Sequence, residues 1–275
     1  MAGGESRHWL QEATSPIKEN EDISGREYDI SSLYRSDIIR GGFSKEILEH
    51  RPYILESFFY ANEDTEKLLP YFGDFLLDSG AFTFIQAKHN KKISWDQYIE
   101  EYADFIKRNK IQKYFELDID SLVGYEKVKE YRAKLEKLVG WPCIPVWHRY
   151  RGYNEWLNLC DEYSYTAIGG IAIKEIQKTE YPVFSKMLKD AHARNCKVHG
   201  LGFTQLKEII KYKFDSVDST AWTTGNRFGF LYWFDGKTMR KIKKKENEKI
   251  TDPRKAALVN YTEWIKFQIY AERNL

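Results

Sequence analysis

The sequence predicts an α/β protein whose strands and helices form a (β/α)8 TIM barrel. Short β-rich runs recur along the chain, and a longer amphipathic stretch with helical spacing follows most of them. Parallel strands need a crossover, usually a helix, so this alternation indicates a parallel sheet. The length of 275 residues suits one barrel. An open, doubly wound sheet is the alternative, although the glycine-rich nucleotide fingerprints common in such sheets are missing.

Seven β-rich runs have the length and composition of strands in one sheet. They are ILESFFY (54–60), DFLLDS (74–79), KYFELDI (113–119), CIPVWH (143–148), YTAIGGIA (165–172), KVHGLG (197–202) and DSVDS (215–219). The eighth strand of a barrel would come from the opening MAGG or from FGFLYWF (228–234).

The stretches between these runs repeat apolar residues at helical spacing. The first clear helix covers residues 94–109, and we expect Ser94 to be its N-cap with Gln97 completing a capping box. Further helices are expected at 124–139, 153–163, 180–194 and 204–212.

The pattern changes after residue 235. A basic segment is followed by a helical pattern over 252–274, with Asp252 expected as N-cap and Pro253 as the first helical residue. We therefore expect a barrel domain over 1–235, with the basic segment and C-terminal helix (236–275) packed on it.

Composition limits the function classes. The net charge of +2 gives the whole molecule no strong attraction for polyanions. Residues 237–249 are the exception, since seven of the thirteen are Lys or Arg, and this segment is either a solvated face or a phosphate contact. Three distant cysteines argue against a disulfide framework and a zinc site, and no signal or membrane-spanning run is present. We expect a cytoplasmic protein.

Polar residues close four of the predicted strands, where a parallel barrel forms its active site. They are Asp78, Asp118 with Asp120, His148 and Asp218. Any one of these carboxylates is more simply a helix N-cap, Asp120 above all, and His148 could be a core imidazole. Three carboxylates at one mouth would repel one another unless protonated, paired or facing a ligand. Carboxylates around a sugar can also stabilise an oxocarbenium-like centre.

Glycines lie at the ends of two further runs, IGGIA (168–172) and HGLGF (199–203). The missing Cβ lets a flat ligand approach the backbone, although a tight turn explains either run equally well. A planar base held by backbone amides and one Asp, with a sugar between carboxylates, would suit base exchange or glycosidic cleavage.

Four motifs resemble, in order and at compatible spacing, those of the tRNA-guanine transglycosylase superfamily. They are DSGAF (78–82), AIGGIAIKE (167–175), HGLG (199–202) and VDSTAWTTGNRFG (217–229). The residues of these motifs look most like those of the phage-type, DpdA-like branch, which exchanges guanine for a 7-deazaguanine in DNA. The resemblance covers roughly residues 54–230 and implies a (β/α)8 barrel.

The resemblance implies a role for each matching residue. Asp218 would be the nucleophile that attacks the sugar C1′, and Asp78 the general acid/base. Asp118 would read the Watson–Crick edge of the base, with Asp120 as an alternative register. The remaining base-binding residues would be Gly169, Gly170, Ile171, Glu175, His148, His199 and Phe82. Trp147 and Trp222 could also stack on a flipped base, while Arg227, Lys243 and Lys244 would hold the nucleic-acid backbone.

Departures from the family bear on the substrate. The CxCxxC-plus-His zinc site of the tRNA enzymes has no counterpart, which favours DNA over tRNA. Ala81 replaces the second Gly of the family's DSGGFQ, and a Gln that helps hold the base is missing, so His148 is expected to take part of its role. The preferred hypothesis is a DNA transglycosylase that uses a free 7-deazaguanine base and no cofactor or metal. The alternatives are a hydrolytic N-glycosidase and a catalytically silent nucleic-acid- or nucleoside-binding barrel.

Overall fold

A computed structural model describes residues 49–80, 83, 94–203, 206–222, 225, 230–243 and 253–275. These residues form two compact units. The first contains Ile54–Lys67 and Phe75–Ser219, and the second contains Leu68–Asp74 and Thr220–Leu275 with the few described residues before Ile54. The domain division expected after residue 235 stays a prediction.

All seven predicted runs supply strands or β-bridges, and they neighbour one another in chain order. The strands are β1 (Tyr53–Ser57), β2 (Asp74–Asp78), β3 (Val146–Trp147), β4 (Tyr165–Ile168), β5 (Lys197–Gly200) and β6 (Ser216–Val217). β1 pairs with β2, and β3 to β6 form a parallel sheet in the order β3-β4-β5-β6. Parallel bridges Leu77↔Tyr114 and Phe115↔Ile144 connect the two sheets through the 113–119 run.

The predicted α/β class with parallel strands is therefore confirmed. The carboxyl ends of parallel neighbours lie at one edge of the sheet, so the polar residues that end these strands are brought to the same side. Within the described ranges, no sheet closes on itself.

Helices connect the strands of the first unit. They are α1 (Glu63–Leu68), α2 (Trp95–Arg108), α3 (Asp120–Val123), α4 (Tyr125–Val139), α5 (Gly152–Glu162), α6 (Pro182–His192) and α7 (Leu206–Ile209). Ser94 is the N-cap of α2 as predicted, since its hydroxyl accepts from the Gln97 N–H. The prediction of a capping box is wrong, because the Gln97 side chain donates to Glu101 instead. Asp120 does not cap α3 either, because its side chain pairs with an arginine.

Helix α2 positions the strand ends that carry the first two carboxylates. Its buried face includes Tyr102, whose hydroxyl lies 2.9 Å from the Leu77 carbonyl oxygen and 3.1 Å from that of Phe115. One turn earlier, the Tyr98 hydroxyl donates to the Ser79 carbonyl. Buried hydrogen bonds of this kind contribute about 1 kcal/mol each, and here they hold the backbone beside Asp78.

The second unit contains an antiparallel hairpin, β7 (Phe230–Phe234) and β8 (Met239–Lys243), packed on α8 (Pro253–Asn274). The 228–234 run is therefore not an eighth parallel strand. The chain reverses because Asp235 accepts from the Lys237 and Thr238 N–H groups, and Gly236 adopts a φ of +91°. Within the basic segment, residues Met239–Lys243 form strand β8.

Helix α8 holds this hairpin through two buried side chains. The Asn260 amide oxygen accepts from the Tyr232 N–H, and a Glu263 carboxylate oxygen accepts from the Phe234 N–H, each at 2.7 Å. Pro253 opens the helix as predicted, whereas Asp252 and the MAGG segment lie outside the described residues. In the described part of the chain, no helix combines the length and apolarity needed to cross a bilayer.

Candidate active site

Asp218 follows β6 directly and is buried. Its Oδ1 accepts from the Gly202 N–H at 2.6 Å and lies 3.3 Å from His199 Nε2. The parallel register places His199 opposite Ser216, whose hydroxyl contacts the other ring nitrogen. Burial alone would raise the pKa of Asp218, but His199 and the Gly202 N–H outweigh it and hold this pKa below its usual range. Asp218 is therefore ionised at neutral pH.

Asp78 ends β2 and has the opposite electrostatic character. Burial raises its pKa to about 6, although the Gly80 N–H, 3.0 Å from Oδ2, opposes the shift. The negative charges of Asp118 and Asp218 raise it further, so the three carboxylates lie close enough to interact. With a pKa of about 6, Asp78 can exchange a proton near neutral pH, unlike the ionised Asp218.

Asp118 and Glu175 lie on either side of the His148 ring. Both Asp118 carboxylate oxygens are 2.8 Å from Nε2, and Glu175 Oε2 is 2.9 Å from Nδ1. The other oxygen of Glu175 accepts from the Arg149 N–H at 3.0 Å. Burial lowers the pKa of His148, but the hydrogen bonds and charges of the two carboxylates raise it to about 9. His148 is a paired, charged group and no isolated core imidazole.

The two glycines of IGGIA make room for this arrangement. A Cβ on Gly169 would lie 2.8 Å from Cε1 and Nε2 of His148, and one on Gly170 would lie 2.6 Å from Glu175 Oε2. Gly170 also has a φ of +76°. Within the described residues, the N–H groups of Gly170 and Ile171 have no hydrogen-bond acceptor, whereas the Gly169 N–H donates to Trp147. The loop therefore packs against charged side chains and, among the described residues, leaves two N–H donors without an acceptor.

Gly170→Ala is expected to lower the free energy of unfolding by about 1–3 kcal/mol, because it combines backbone strain with a collision against Glu175. Urea denaturation would measure the loss. Gly140→Ala is the matched control, since Gly140 also has a positive φ, of +99°, but open space at its Cβ position. Equal losses in the two variants would mean that the contact with Glu175 carries no cost.

Asp120 is paired with Arg151. The guanidinium donates to both Asp120 oxygens and to Glu116 Oε1, and all three side chains are almost fully buried. Glu116 also accepts from the Val146 N–H at 2.8 Å. The Asp118 side chain, by contrast, remains 29% exposed with an oxygen 3.7 Å from Arg151. This geometry favours Asp118 over Asp120 as the residue free to meet a ligand.

Arg151→Met is expected to cost about 3–5 kcal/mol of stability, because it leaves Asp120 buried without its partner and Glu116 with Arg132 alone, 3.4 Å away. Urea unfolding of the variant would show the loss. Arg149→Met is the control: this neighbouring arginine is mostly exposed, and its pairing with Glu180 should contribute about 0–1 kcal/mol. A loss no larger for Arg151 than for Arg149 would contradict the role of the buried network.

Of the remaining predicted residues, the two tryptophans are buried and the others lie outside the part of the chain that the structure describes. Trp147 is buried, donates to the Gly152 carbonyl and packs edge-on against Trp156, so its ring is core and offers no stacking face. Trp222 is likewise buried, against Tyr261 in the second unit. Outside the described residues lie Phe82, Arg227, Lys244 and the side chain of Lys243, which ends β8.

Sequence reasoning missed two neighbours of His148. Arg151 neutralises the buried carboxylates, and Tyr150 stacks on the His148 ring with centroids 5.5 Å apart and planes 20° from parallel. Tyr150 is 60% exposed, so an aromatic surface lies at the site's edge. The signal was the segment HRYR (148–151), two cations and an aromatic directly after a strand that faces several carboxylates.

No protein-family model matches this chain, and no curated protein matches it. The family resemblance therefore rests on the short motifs, and the geometry of the site is separate evidence. Among the described residues, no group of His, Cys, Asp and Glu side chains has an arrangement that could hold a metal ion.

Proposed function

We propose that this chain is a transglycosylase that exchanges guanine for a 7-deazaguanine base in DNA through a covalent Asp218–sugar intermediate. The observation that carries the proposal is the contrast between two neighbouring carboxyl groups. Asp218 has a lowered pKa, whereas the pKa of Asp78 is raised to about 6. A displacement at an anomeric carbon needs such a pair, one group ionised as nucleophile and the other able to carry a proton.

The proposed first step cleaves the bond between the base and the sugar. A carboxylate oxygen of Asp218 attacks C1′, the bond between C1′ and guanine N9 breaks, and Asp78 gives its proton to the departing base. In the second step, Asp78 takes the proton from N9 of the incoming base. That nitrogen then attacks C1′, and the ester to Asp218 breaks. Both carboxyl groups return to their starting states, so no redox cofactor is required.

Base recognition in this proposal uses the other side of the site. The partly exposed Asp118 carboxylate would accept hydrogen bonds from the N–H groups on the Watson–Crick edge of guanine, while Gly170 and Ile171 donate to its carbonyl oxygen. Tyr150 offers an aromatic surface nearby. A base in a duplex would first have to leave the stack.

A barrel is the proposed architecture of the first unit, supported by seven strand runs that neighbour one another in chain order. DNA is preferred over tRNA because the motifs look most like those of the phage-type branch, and the chain has no counterpart of the zinc motif of the tRNA enzymes.

The test uses duplex DNA carrying radiolabelled guanine, incubated with the protein and a panel of free 7-deazaguanine bases. We expect label release that depends on the added base, together with a protein–DNA adduct that survives denaturation. Release without incorporation of the new base would indicate a hydrolytic N-glycosidase. Binding without release from duplex DNA, single strands and tRNA would contradict the proposal and favour a silent binding protein.

A further inference from the structure

The protonation state of His148 follows from its two contacts. A neutral imidazole has one N–H and one lone pair, so it can donate to only one carboxylate and would repel the other. Here Nε2 faces Asp118 at 2.8 Å and Nδ1 faces Glu175 at 2.9 Å. When both partners are carboxylates, only the imidazolium, with an N–H on each nitrogen, satisfies both.

The imidazolium is also fixed in place. The His148 residue is 7% exposed, Gly169 leaves space for its ring, and the Tyr150 ring stacks over it. Glu175 is anchored in turn by the Arg149 N–H. The chain of contacts from Arg149 through Glu175 and His148 to Asp118 therefore has little freedom to rotate.

The charges around this chain make its role specific. The negative charge of Asp118 interacts unfavourably with Asp78, so a cation beside Asp118 offsets part of this repulsion. The titratable groups that surround His148 in the described structure are Asp118, Glu175 and Tyr150, with Arg151 3.7 Å from Asp118. Arg151 is already shared between Glu116 and Asp120, so His148 is the closest cation to Asp118.

We propose that His148 and Glu175 are positioning residues that hold the Asp118 carboxylate correctly aimed, so that its oxygens act as acceptors toward the base. An acceptor-only carboxylate selects a base whose edge presents two adjacent N–H donors, as guanine and 7-deazaguanines do. It rejects adenine, whose ring nitrogen on that edge would face the carboxylate with a lone pair. The inference rests on the proposed function for the identity of the ligand, and it assigns His148 no direct contact with the base.

The first test is NMR of the imidazole nitrogens in the unmodified protein. We expect both His148 nitrogens to remain protonated at pH 7.5, and Glu175→Gln to lower the pH at which the ring loses a proton. A neutral His148 ring at pH 7.5 would overturn the proposal. This measurement requires no catalysis, so it is separate from the test of transglycosylation.

The second test is binding of free guanine and adenine to His148→Gln, Glu175→Gln and the unmodified protein. We expect guanine binding to weaken at least about tenfold in both variants, equivalent to about 1.4 kcal/mol. The preference for guanine over adenine should be smaller in the variants than in the unmodified protein. In the exchange assay, KM for DNA should rise while kcat changes much less. His192→Gln is the control, because His192 pairs with Asp215 at the surface.

The outcomes separate the two proposals. A protonated His148 and variant-sensitive guanine binding in a protein without exchange activity would support the positioning role and remove the transglycosylase. Exchange activity with guanine affinity unchanged in both variants would remove the positioning role alone. Absence of guanine binding by the unmodified protein would count against both. Glu175→Gln nearly preserves the side-chain shape, so it provides a readout even if His148→Gln does not fold.

Discussion

Asp218→Asn is expected to lower the rate of guanine release about 10⁴-fold and to abolish the denaturation-resistant adduct with DNA. The amide has no negative charge with which to attack C1′, but its oxygen can still accept from the Gly202 N–H that now contacts Oδ1. Folding should therefore be preserved while chemistry is lost. Single-turnover release of labelled guanine, with gel analysis of the adduct, would measure the effect.

Asp104→Asn is the control for the same substitution, because Asp104 is exposed on α2 and belongs to no part of the site. It should leave release and adduct formation unchanged. Equal melting temperatures for the Asp218 variant and the unmodified protein would exclude misfolding as the cause. An undiminished adduct in Asp218→Asn would remove Asp218 from the role of nucleophile.

Asp78→Asn is expected to lower guanine release about 10²–10⁴-fold, because it removes the proton that the departing base requires. The unmodified protein should show the matching pH dependence. The first step needs protonated Asp78 with ionised Asp218, and burial raises the Asp78 pKa to about 6 while the Asp218 pKa is lowered. Above about pH 6, kcat/KM should therefore fall about tenfold per pH unit, and the variant should lack this descent.

Asp78→Asn should affect stability in the opposite direction to activity. Because the pKa of Asp78 is higher in the folded than in the unfolded protein, the unfolded chain loses this proton first as pH rises. The ionised group therefore destabilises the fold progressively, and the effect is complete above about pH 6. Asp78→Asn removes that cost, so its melting temperature at pH 7.5 should equal or exceed that of the unmodified protein. A flat activity profile from pH 5 to 7.5, or a clear loss of stability, would contradict this role.

The succession of strands and helices in the first unit could be predicted from the sequence in some detail. Six of the seven β-rich runs contain a strand, often shorter than expected, and the 113–119 run contributes isolated bridges. The helices at 94–109, 124–139, 153–163 and 180–194 are found within a few residues of their expected bounds. Patterns of this kind are local, since apolar spacing distinguishes a helix from a strand and a cap or turn residue marks its end. The 228–234 run was recognised as a strand, but its antiparallel direction depends on a turn that apolar spacing alone does not encode.

For the first unit, the sequence by itself determined that the strands are parallel and that Asp78, Asp118, His148 and Asp218 come at the carboxyl ends of the β-rich runs, because crossover helices impose that direction. Only the tertiary structure decided which charges meet. His148 reaches residues 30 and 27 positions away, and Arg151 reaches Asp120 across 31. Such pairings depend on how closely different loops pack and how deeply they bury the charges. A local sequence pattern does not encode either quantity. That is why Asp120 proved to be buried with an arginine, and why His148 proved to hold a carboxylate.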